Sequence, residues 1–479
     1  MSTNIGKHDH THYRDVRPAP SFSRIRSNWT ARSGIGISAI IAHLFLMVVY
    51  FDVVKHYRIM EILGGYLIKV WILPVTALGV LVASRIVRRK TLLFGREIAA
   101  GYLFLGGYFA FGVFSLFVNE GIYEVGKFGL VMFAPVTTYF IVLDRFNDMR
   151  SIEAAVKVLF STAVVMALYA QYAFGFGSGS GGVEFVLLQT NVGVMSANEM
   201  LMEGAVRRLT LPGLEQNQFA AMLSILVLLG LHLFLYSQGW VKWFYLGGTG
   251  LLVWTVLATL SRSAIAGLFM GLLVFLWYYR QSRFLLMLGV AGIAYSVVSS
   301  DALITRLAEL LYQIESYTGF MVTEYLQLDI ARGVRRFDHF EIISRSLLAF
   351  RESPLVGVGL TGMLDRTLIQ DHNRYLYLIS TVGLLTTGCY VAFIFWLTSK
   401  CWVTIRRLQR RATNPSLGVA LLAACVFIIV RLVSQSNEAY YYWILLGLTA
   451  AWVRVSCSDL ASGPSLTRWP TIHAGGGRP

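Results

Sequence analysis

The sequence predicts an all-α polytopic membrane protein with about twelve transmembrane helices, and three observations lead to this fold class. Hydrophobic residues make up 56% of the 479 residues and charged residues only 14%, whereas a soluble domain carries about 25% charged residues. The apolar residues form runs of about 20, the length that crosses the hydrocarbon core as a helix. Lysine and arginine, which give a net charge of +15, lie between these runs. This pattern indicates contact with lipid headgroups and not with nucleic acid.

Twelve apolar runs are candidate spans, and the charge between them predicts their orientation. The runs lie at 34–54, 62–84, 98–118, 127–143, 156–175, 218–236, 241–259, 263–279, 284–299, 374–397, 416–433 and 439–455. The basic segments between them are 85–97, 144–157, 280–283 and 399–416. If the N-terminus is cytosolic, every one of these basic segments falls on the cytosolic side, in agreement with the positive-inside rule. The same arrangement puts two long loops on the outer face.

The predicted organisation therefore alternates membrane bundles with outer loops. It consists of a cytosolic tail (1–33), spans 1 to 5 (34–175), an outer loop (176–217), spans 6 to 9 (218–299), a large outer loop (300–373), spans 10 to 12 (374–455) and a cytosolic tail (456–479). The large loop contains a helix-like stretch at 335–350, with apolar residues near 3.6 spacing. The polar N-terminus, with HDHTH at 8–12, predicts a disordered tail in preference to a metal site or a cleaved signal peptide. The four cysteines form no CxxC pair, so neither a zinc site nor a disulfide framework is indicated.

Several arginines lie on the predicted outer face, where the positive-inside rule disfavours them. They are Arg207, Arg208, Arg262, Arg335 and Arg336. Arginine binds phosphate well because its planar fork donates two parallel hydrogen bonds and stays charged. A lipid-linked diphosphate would account for them, and headgroup contact, turn capping or a solvated helix face are the alternatives. Arg431, near the outer end of span 11, is interpreted mainly as an arginine that snorkels to the interface.

His372 lies at the predicted outer entrance of span 10, within the sequence DHN at 371–373. Asp371 and Asn373 are good N-cap residues, so this stretch could serve only to start a helix. A helix N-terminus also lowers the pKa of a nearby histidine, because its partial positive charge disfavours the imidazolium. The neutral imidazole could then accept a proton from a sugar hydroxyl. Both interpretations are compatible with the residues alone.

Four segments, taken in order, resemble the O-antigen ligase and O-antigen polymerase superfamily. They are RRLTLPGLEQNQFAAML at 207–223, TLSRSAIAGLFMGLLV at 259–274, RRFDHFEIISRSLLAFRESPLVGVGL at 335–360 and DHNRYLYLISTVGLLTTG at 371–388. The resemblance covers about 205–400, and the ordered set is more specific than any one segment. The sequence departs from the family at Asn217, where LEQNQFA replaces the common Pro-Asn form.

The resemblance implies a GT-C-like, metal-independent glycosyltransferase without a cofactor, in the bacterial inner membrane and with its active site facing the periplasm. His372 would be the general base, and Arg208, Arg262 and Arg336 would hold the diphosphate, with Arg207 and Arg335 competing with their neighbours for that role. The donor would be an undecaprenyl-diphosphate-linked glycan and the acceptor a glycan or lipid A-core. A chain-length regulator or a flippase would be candidate protein partners. The absence of an acidic pair from the first outer loop, DVVKHYRIME at 52–61, also favours arginine over metal.

Two questions stay open at this level. A transporter or flippase of lipid-linked glycans would also suit twelve spans, although the halves show no repeat and the polar cluster lies away from the bilayer midplane. Polymerase and ligase use the same donor and differ only in the acceptor, so the residues do not separate them; a slight preference goes to the polymerase.

Overall fold

The structure is a computed structural model. It describes residues 37–50, 79, 98–176, 209, 216–259, 261–279, 339–359, 362, 373–411, 413–433 and 440–461. The chain divides into two compact units, Met1–Leu44 and Phe45–Pro479. In the first unit, the described residues are the beginning of one helix. The other described residues belong to the second unit.

The described residues form α-helices joined by turns and short loops, and they include no strand. In chain order the helices are α1 (Ile37–Tyr50), α2 (Ala99–Arg145), α3 (Met149–Phe176), α4 (Gln216–Tyr236), α5 (Trp240–Ala258), α6 (Arg262–Tyr278), α7 (His339–Glu352), α8 (Arg374–Arg410), α9 (Ser416–Leu432) and α10 (Tyr440–Ala461).

Length and composition identify six candidate membrane spans within this part of the chain. They are Ala99–Asn119, Met149–Tyr172, Gln216–Tyr236, Trp240–Ala258, Arg374–Arg410 and Tyr440–Ala461, with shorter apolar helices at Ile40–Tyr50, Ser263–Tyr278 and Ser416–Leu432. The prediction of an all-helical multi-pass membrane protein is confirmed. The count of twelve stays a prediction, because the predicted spans at 62–84, apart from residue 79, and at 284–299 lie outside the described residues.

Helix α2 is two antiparallel arms that meet at Gly121. The rings of Tyr102 and Phe140 stack with their centroids 6.0 Å apart, although a straight helix would separate these residues by roughly 57 Å. Gly121 has φ 76° and ψ 174°, a left-handed conformation that glycine adopts without steric cost. The chain therefore turns back at this residue. The two arms correspond to the predicted spans at 98–118 and 127–143.

Helix α8 continues beyond the predicted end of span 10 at residue 397. It runs to Arg410, through the basic segment that was predicted as a cytosolic loop. The residues of this extension, including Lys400, Arg406 and Arg407, are good helix formers. Its partly apolar face also packs inward, with Cys401 and Ile405 fully buried. Basic composition therefore does not mark the end of this helix.

The centre of the second unit is formed by α4, α9 and α10, which are buried along most of their length. Glycine allows the helices around this centre to approach closely. A Cβ atom at Gly267 of α6 would lie 2.8 Å from the Phe427 ring of α9, and one at Gly271 would lie 3.1 Å from the Ala423 carbonyl oxygen. Small residues at such positions are the usual basis of close helix packing in membranes. This packing fixes α6 against α9.

A loop at 353–359 fills a break inside α8. Helix α8 is interrupted at Gly383, which has φ 81° and ψ 175°. The amides of Val358 and Gly359 donate to the Ser380 and Thr381 carbonyls at 2.8 and 3.0 Å, and the Leu384 amide donates to the Pro354 carbonyl at 2.9 Å. The loop thus supplies partners that the broken helix no longer provides. In a membrane each unsatisfied backbone group would cost several kcal/mol.

Two glycines make this insertion sterically possible. A Cβ atom at Gly383 would lie 2.1 Å from the Leu355 carbonyl oxygen, and one at Gly357 would lie 2.3 Å from the Thr381 carbonyl oxygen. Both residues also have positive φ, 81° and 73° respectively. Side chains are excluded at both positions, by backbone contact and by conformation. The Pro-Leu-x-Gly-x-Gly pattern is therefore the sequence of a loop that packs backbone to backbone against α8.

We predict that Gly383→Ala destabilises the protein by about 3 kcal/mol, from the strained positive φ together with the clash against Leu355. The measurement is the apparent melting temperature of the purified full chain in detergent. Gly388→Ala is the matched control, because Gly388 lies in the same helix and a Cβ atom there meets no atom within 4 Å. Equal melting temperatures for the two variants would contradict the proposed fit of the loop into α8.

Candidate functional site

Most of the predicted site side chains lie outside the described residues. This applies to His372, Arg207, Arg208, Arg335 and Arg336. Arg262 is described through its backbone alone, as the first residue of α6. The roles of these residues stay predictions. The structure describes helices and turns that lie near them in the chain.

Asn373 caps the start of α8, directly after His372. Its side-chain Oδ1 accepts hydrogen bonds from the amides of Tyr375 at 3.0 Å and Leu376 at 3.1 Å. These are two of the amides that have no partner within the helix. Asn373 therefore performs the capping that the sequence left open for the DHN stretch.

The last turn of α9 connects the starts of two other helices. The Arg431 Nη2 group donates to the Asn217 carbonyl oxygen in the first turn of α4, at 3.1 Å. Two residues earlier, the Ile429 carbonyl oxygen accepts a hydrogen bond from the Tyr375 hydroxyl in the first turn of α8, at 3.2 Å. We call this pair of contacts the α9 bridge. It joins the helix that follows Arg207 and Arg208 to the helix that follows His372.

The interpretation of Arg431 as a snorkelling residue is wrong. Its side chain is completely buried, with 0% exposure, whereas a snorkelling arginine extends its charged end into water. The guanidinium instead points into the protein, toward α4. Arg431 lies in the last turn of α9, where the partial negative charge of a helix C-terminus favours a cation. No local pattern distinguishes such an arginine from an interfacial one.

A second contact ties the segment before α4 to the turn between α5 and α6. The amide of Leu209 donates to the carbonyl oxygen of Ala258, the last residue of α5, at 3.1 Å, and Leu209 is fully buried. Arg208 directly precedes Leu209, and Arg262 begins α6 just after the turn. The two chain segments that carry these predicted diphosphate ligands are therefore in contact.

The loop at 353–359 also contacts the turn of α2. The Ser115 hydroxyl donates to the Val356 carbonyl oxygen, and the Asn119 side-chain amide donates to the same oxygen at 3.3 Å and to the Ser115 carbonyl at 2.9 Å. Sequence reasoning missed these two residues. The available signal was a pair of polar side chains four positions apart on an otherwise apolar span, which share one helix face.

These contacts bring the beginnings of α4, α6 and α8 to one end of the helical bundle, which we call the site end. Three of the four segments of the family resemblance contribute to it, and the segment at 335–360 contacts α8 farther along, at residues 380–384. Three helix N-termini at one place provide partial positive charge, which favours anions. Within the described ranges, no group of three or more His, Cys, Asp or Glu side chains could hold a metal ion. The described part of the site end is therefore suited to bind an anionic group.

We predict that Leu209→Cys and Ala258→Cys form a disulfide when introduced together, because a backbone hydrogen bond of 3.1 Å brings two Cα atoms within the range that a disulfide needs. Mass spectrometry of peptides from oxidised membranes would detect the cross-link. Leu209→Cys paired with Ser237→Cys is the control, since Ser237 follows the opposite end of α4. A cross-link of equal yield in the control pair would contradict the described site end.

Comparison with known proteins gives one curated relative of low identity. No protein-family model matches the chain. The Teichuronic acid biosynthesis protein TuaE of Bacillus subtilis (strain 168) is 23% identical over 263 residues, which cover 50% of this chain and 51% of the relative. The chain thus matches about half the length of this curated relative. The similarity shows a distant relationship between the two chains.

Proposed function

We propose that the chain is a membrane glycosyltransferase that transfers glycan from an undecaprenyl-diphosphate-linked donor to an acceptor hydroxyl at the site end. The observation that carries the proposal is the convergence of α4, α6 and α8. The three helices begin at or after the positions of Arg207 and Arg208, of Arg262 and of His372, which lie far apart in sequence. The relative named for teichuronic acid biosynthesis supports a role in making a polysaccharide.

The proposed reaction has a simple balance of bonds and charge. The acceptor hydroxyl attacks the anomeric carbon of the donor glycan, and the bond from that carbon to the diphosphate oxygen breaks. His372 accepts the hydroxyl proton as general base. Arg208, Arg262 and Arg336 balance the negative charge that develops on the leaving undecaprenyl diphosphate. The N-termini of the three helices add partial positive charge on the same side.

The cap at Asn373 supports the assignment of His372 as the base. Because the Asn373 side chain already accepts the first free amides of α8, the imidazole is not required for that task. A histidine next to a helix N-terminus is favoured in its neutral form, which is the form that accepts a proton. Arg207 and Arg335 are retained as alternatives to their neighbours for diphosphate binding.

Within this class we favour a polysaccharide polymerase over an O-antigen ligase. The name of the relative refers to the biosynthesis of a polysaccharide and not to attachment on lipid A-core. Both enzymes would use the same donor and the same base. The basic segments are predicted to be cytosolic, so the site end is predicted to face the periplasm. We include this orientation in the proposal.

Transport of lipid-linked glycans is the second candidate, and one observation favours it. Helix α8 is interrupted at Gly383, and discontinuous helices line the substrate sites of many transporters. In α8, however, the loop at 353–359 occupies the break and bonds to its backbone groups. That break is therefore filled by the protein itself, which favours the enzyme.

We predict that His372→Ala lowers glycan transfer by roughly 10²–10⁴-fold, the usual contribution of a general base, while donor binding is retained. Purified full-length protein in lipid nanodiscs, supplied with a synthetic undecaprenyl-diphosphate glycan, allows both to be measured. Asn373→Ala is the matched control. It should cost about 1 kcal/mol of stability through loss of the cap and leave transfer largely intact.

The outcomes separate the alternatives. Near-normal transfer in His372→Ala, equal to that in Asn373→Ala, would exclude His372 as the base and leave the DHN stretch as a cap alone. Lost donor binding would make His372 a phosphate ligand. Translocation of the donor without any transfer by the parent protein would replace the enzyme with the transporter. Transfer that stops in excess EDTA and resumes with Mg²⁺ would contradict charge balance by arginine alone.

A further inference from the structure

A basic cavity lies at the other end of α8, away from the site end. Its volume is about 440 Å³, and it is lined by Arg407, Arg410, Arg411, Cys457, Leu460 and Ala461. It therefore lies between the C-terminal ends of α8 and α10. The sequence predicts this end as cytosolic, and the proposed glycosyl transfer does not use it.

The three arginines are exposed, and they line one cavity. Arg411 is fixed by its Nη1 group, which donates to the Leu460 carbonyl oxygen in the last turn of α10 at 2.8 Å. Arg407 and Arg410 lie in the last turn of α8, where the helix C-terminus favours cations. Leu460 and Ala461 give one wall an apolar surface. The cavity thus combines a cluster of guanidinium groups with an apolar side.

Aromatic side chains next to the cavity indicate its depth in the membrane. The rings of Trp277 and Trp402 stack with centroids 5.0 Å apart. The Arg406 guanidinium lies 4.5 Å from the Trp402 ring centroid and 6.0 Å from that of Trp277. Tryptophan and arginine together are typical of the membrane–water interface. The adjacent cavity is therefore at the level of lipid headgroups.

We propose that this cavity binds the phosphate of an anionic phospholipid headgroup. Guanidinium groups bind phosphate oxygens through paired hydrogen bonds, and basic pockets between membrane helices on the cytosolic side are suited to anionic headgroups. The apolar wall would lie along the first part of the lipid chains. Such a lipid would join the ends of α8 and α10, which are already in contact through the Arg411 bond to Leu460 and the approach of the Thr404 hydroxyl to the Cys457 thiol at 3.7 Å.

The test compares two double variants of the full chain that remove equal charge at the same membrane end. Arg407→Gln/Arg410→Gln alters the cavity. Arg145→Gln/Arg150→Gln is the control, because these arginines are exposed as Arg407 and Arg410 are but do not line the cavity. The end of α2 is tied to α10 by the Arg454 Nη2 bond to the Leu143 carbonyl at 2.7 Å, so the control lies at the same end of the bundle.

Each protein is purified from nanodiscs of phosphatidylglycerol diluted in phosphatidylcholine, and retained lipid is counted by native mass spectrometry. The cavity variant should bind phosphatidylglycerol about tenfold more weakly than the parent, while the control variant keeps most of its affinity. Equal loss in both variants would show general surface attraction and overturn the proposal. Displacement of the lipid by excess inorganic phosphate, with equal stabilisation by phosphate alone, would assign the cavity to a free anion and overturn it too.

Discussion

The hydrogen bond from Arg431 to the Asn217 carbonyl oxygen is the interaction on which the site end depends. A positive charge with 0% exposure costs several kcal/mol to remove from water. Its position in the last turn of α9 and its carbonyl acceptor offset part of that cost. The same turn accepts a hydrogen bond from the Tyr375 hydroxyl. The C-terminal end of one helix therefore positions the starts of both α4 and α8. In the proposed enzyme these two starts carry the donor side and the acceptor side of the reaction. A buried charge is thus retained where an apolar residue would pack at lower cost, which is typical of residues that serve function.

Backbone contact provides the second constraint, because the loop at 353–359 joins elements that are remote in sequence. Its amides and carbonyls close the break at Gly383, and its Val356 carbonyl accepts from Ser115 and Asn119 of α2. The amphipathic helix α7 leads directly into this loop, so α7 is attached to α8 and α2 through it. The predicted arginines at 335 and 336 precede α7.

Much of the fold could be predicted from the sequence where the signal is local. The span predicted at 218–236 is α4 at Gln216–Tyr236, because an apolar run bounded by polar residues is itself the physical cause of a membrane helix. The helix-like stretch at 335–350 is likewise present as α7. The reversal at Gly121, the filled break at Gly383 and the burial of Arg431 could not be predicted, since each depends on a partner distant in sequence. For the site, the order of motifs predicted the segments that converge, whereas Ser115 and Asn119 became visible only through Val356.

The most direct test of this account is the effect of Arg431→Met on stability and on transfer, measured on one purified protein. Methionine fills a similar volume without charge, so the apparent melting temperature should stay equal or rise, as when other buried charges are replaced by apolar residues. Glycan transfer should fall roughly tenfold or more, mainly through weaker donor binding, because a charge-assisted hydrogen bond that positions α4 is lost. Arg431→Lys, which keeps the charge but not the planar fork, should recover only part of the activity. A lower melting temperature together with unchanged transfer per folded molecule would contradict the account and make Arg431 a purely structural residue.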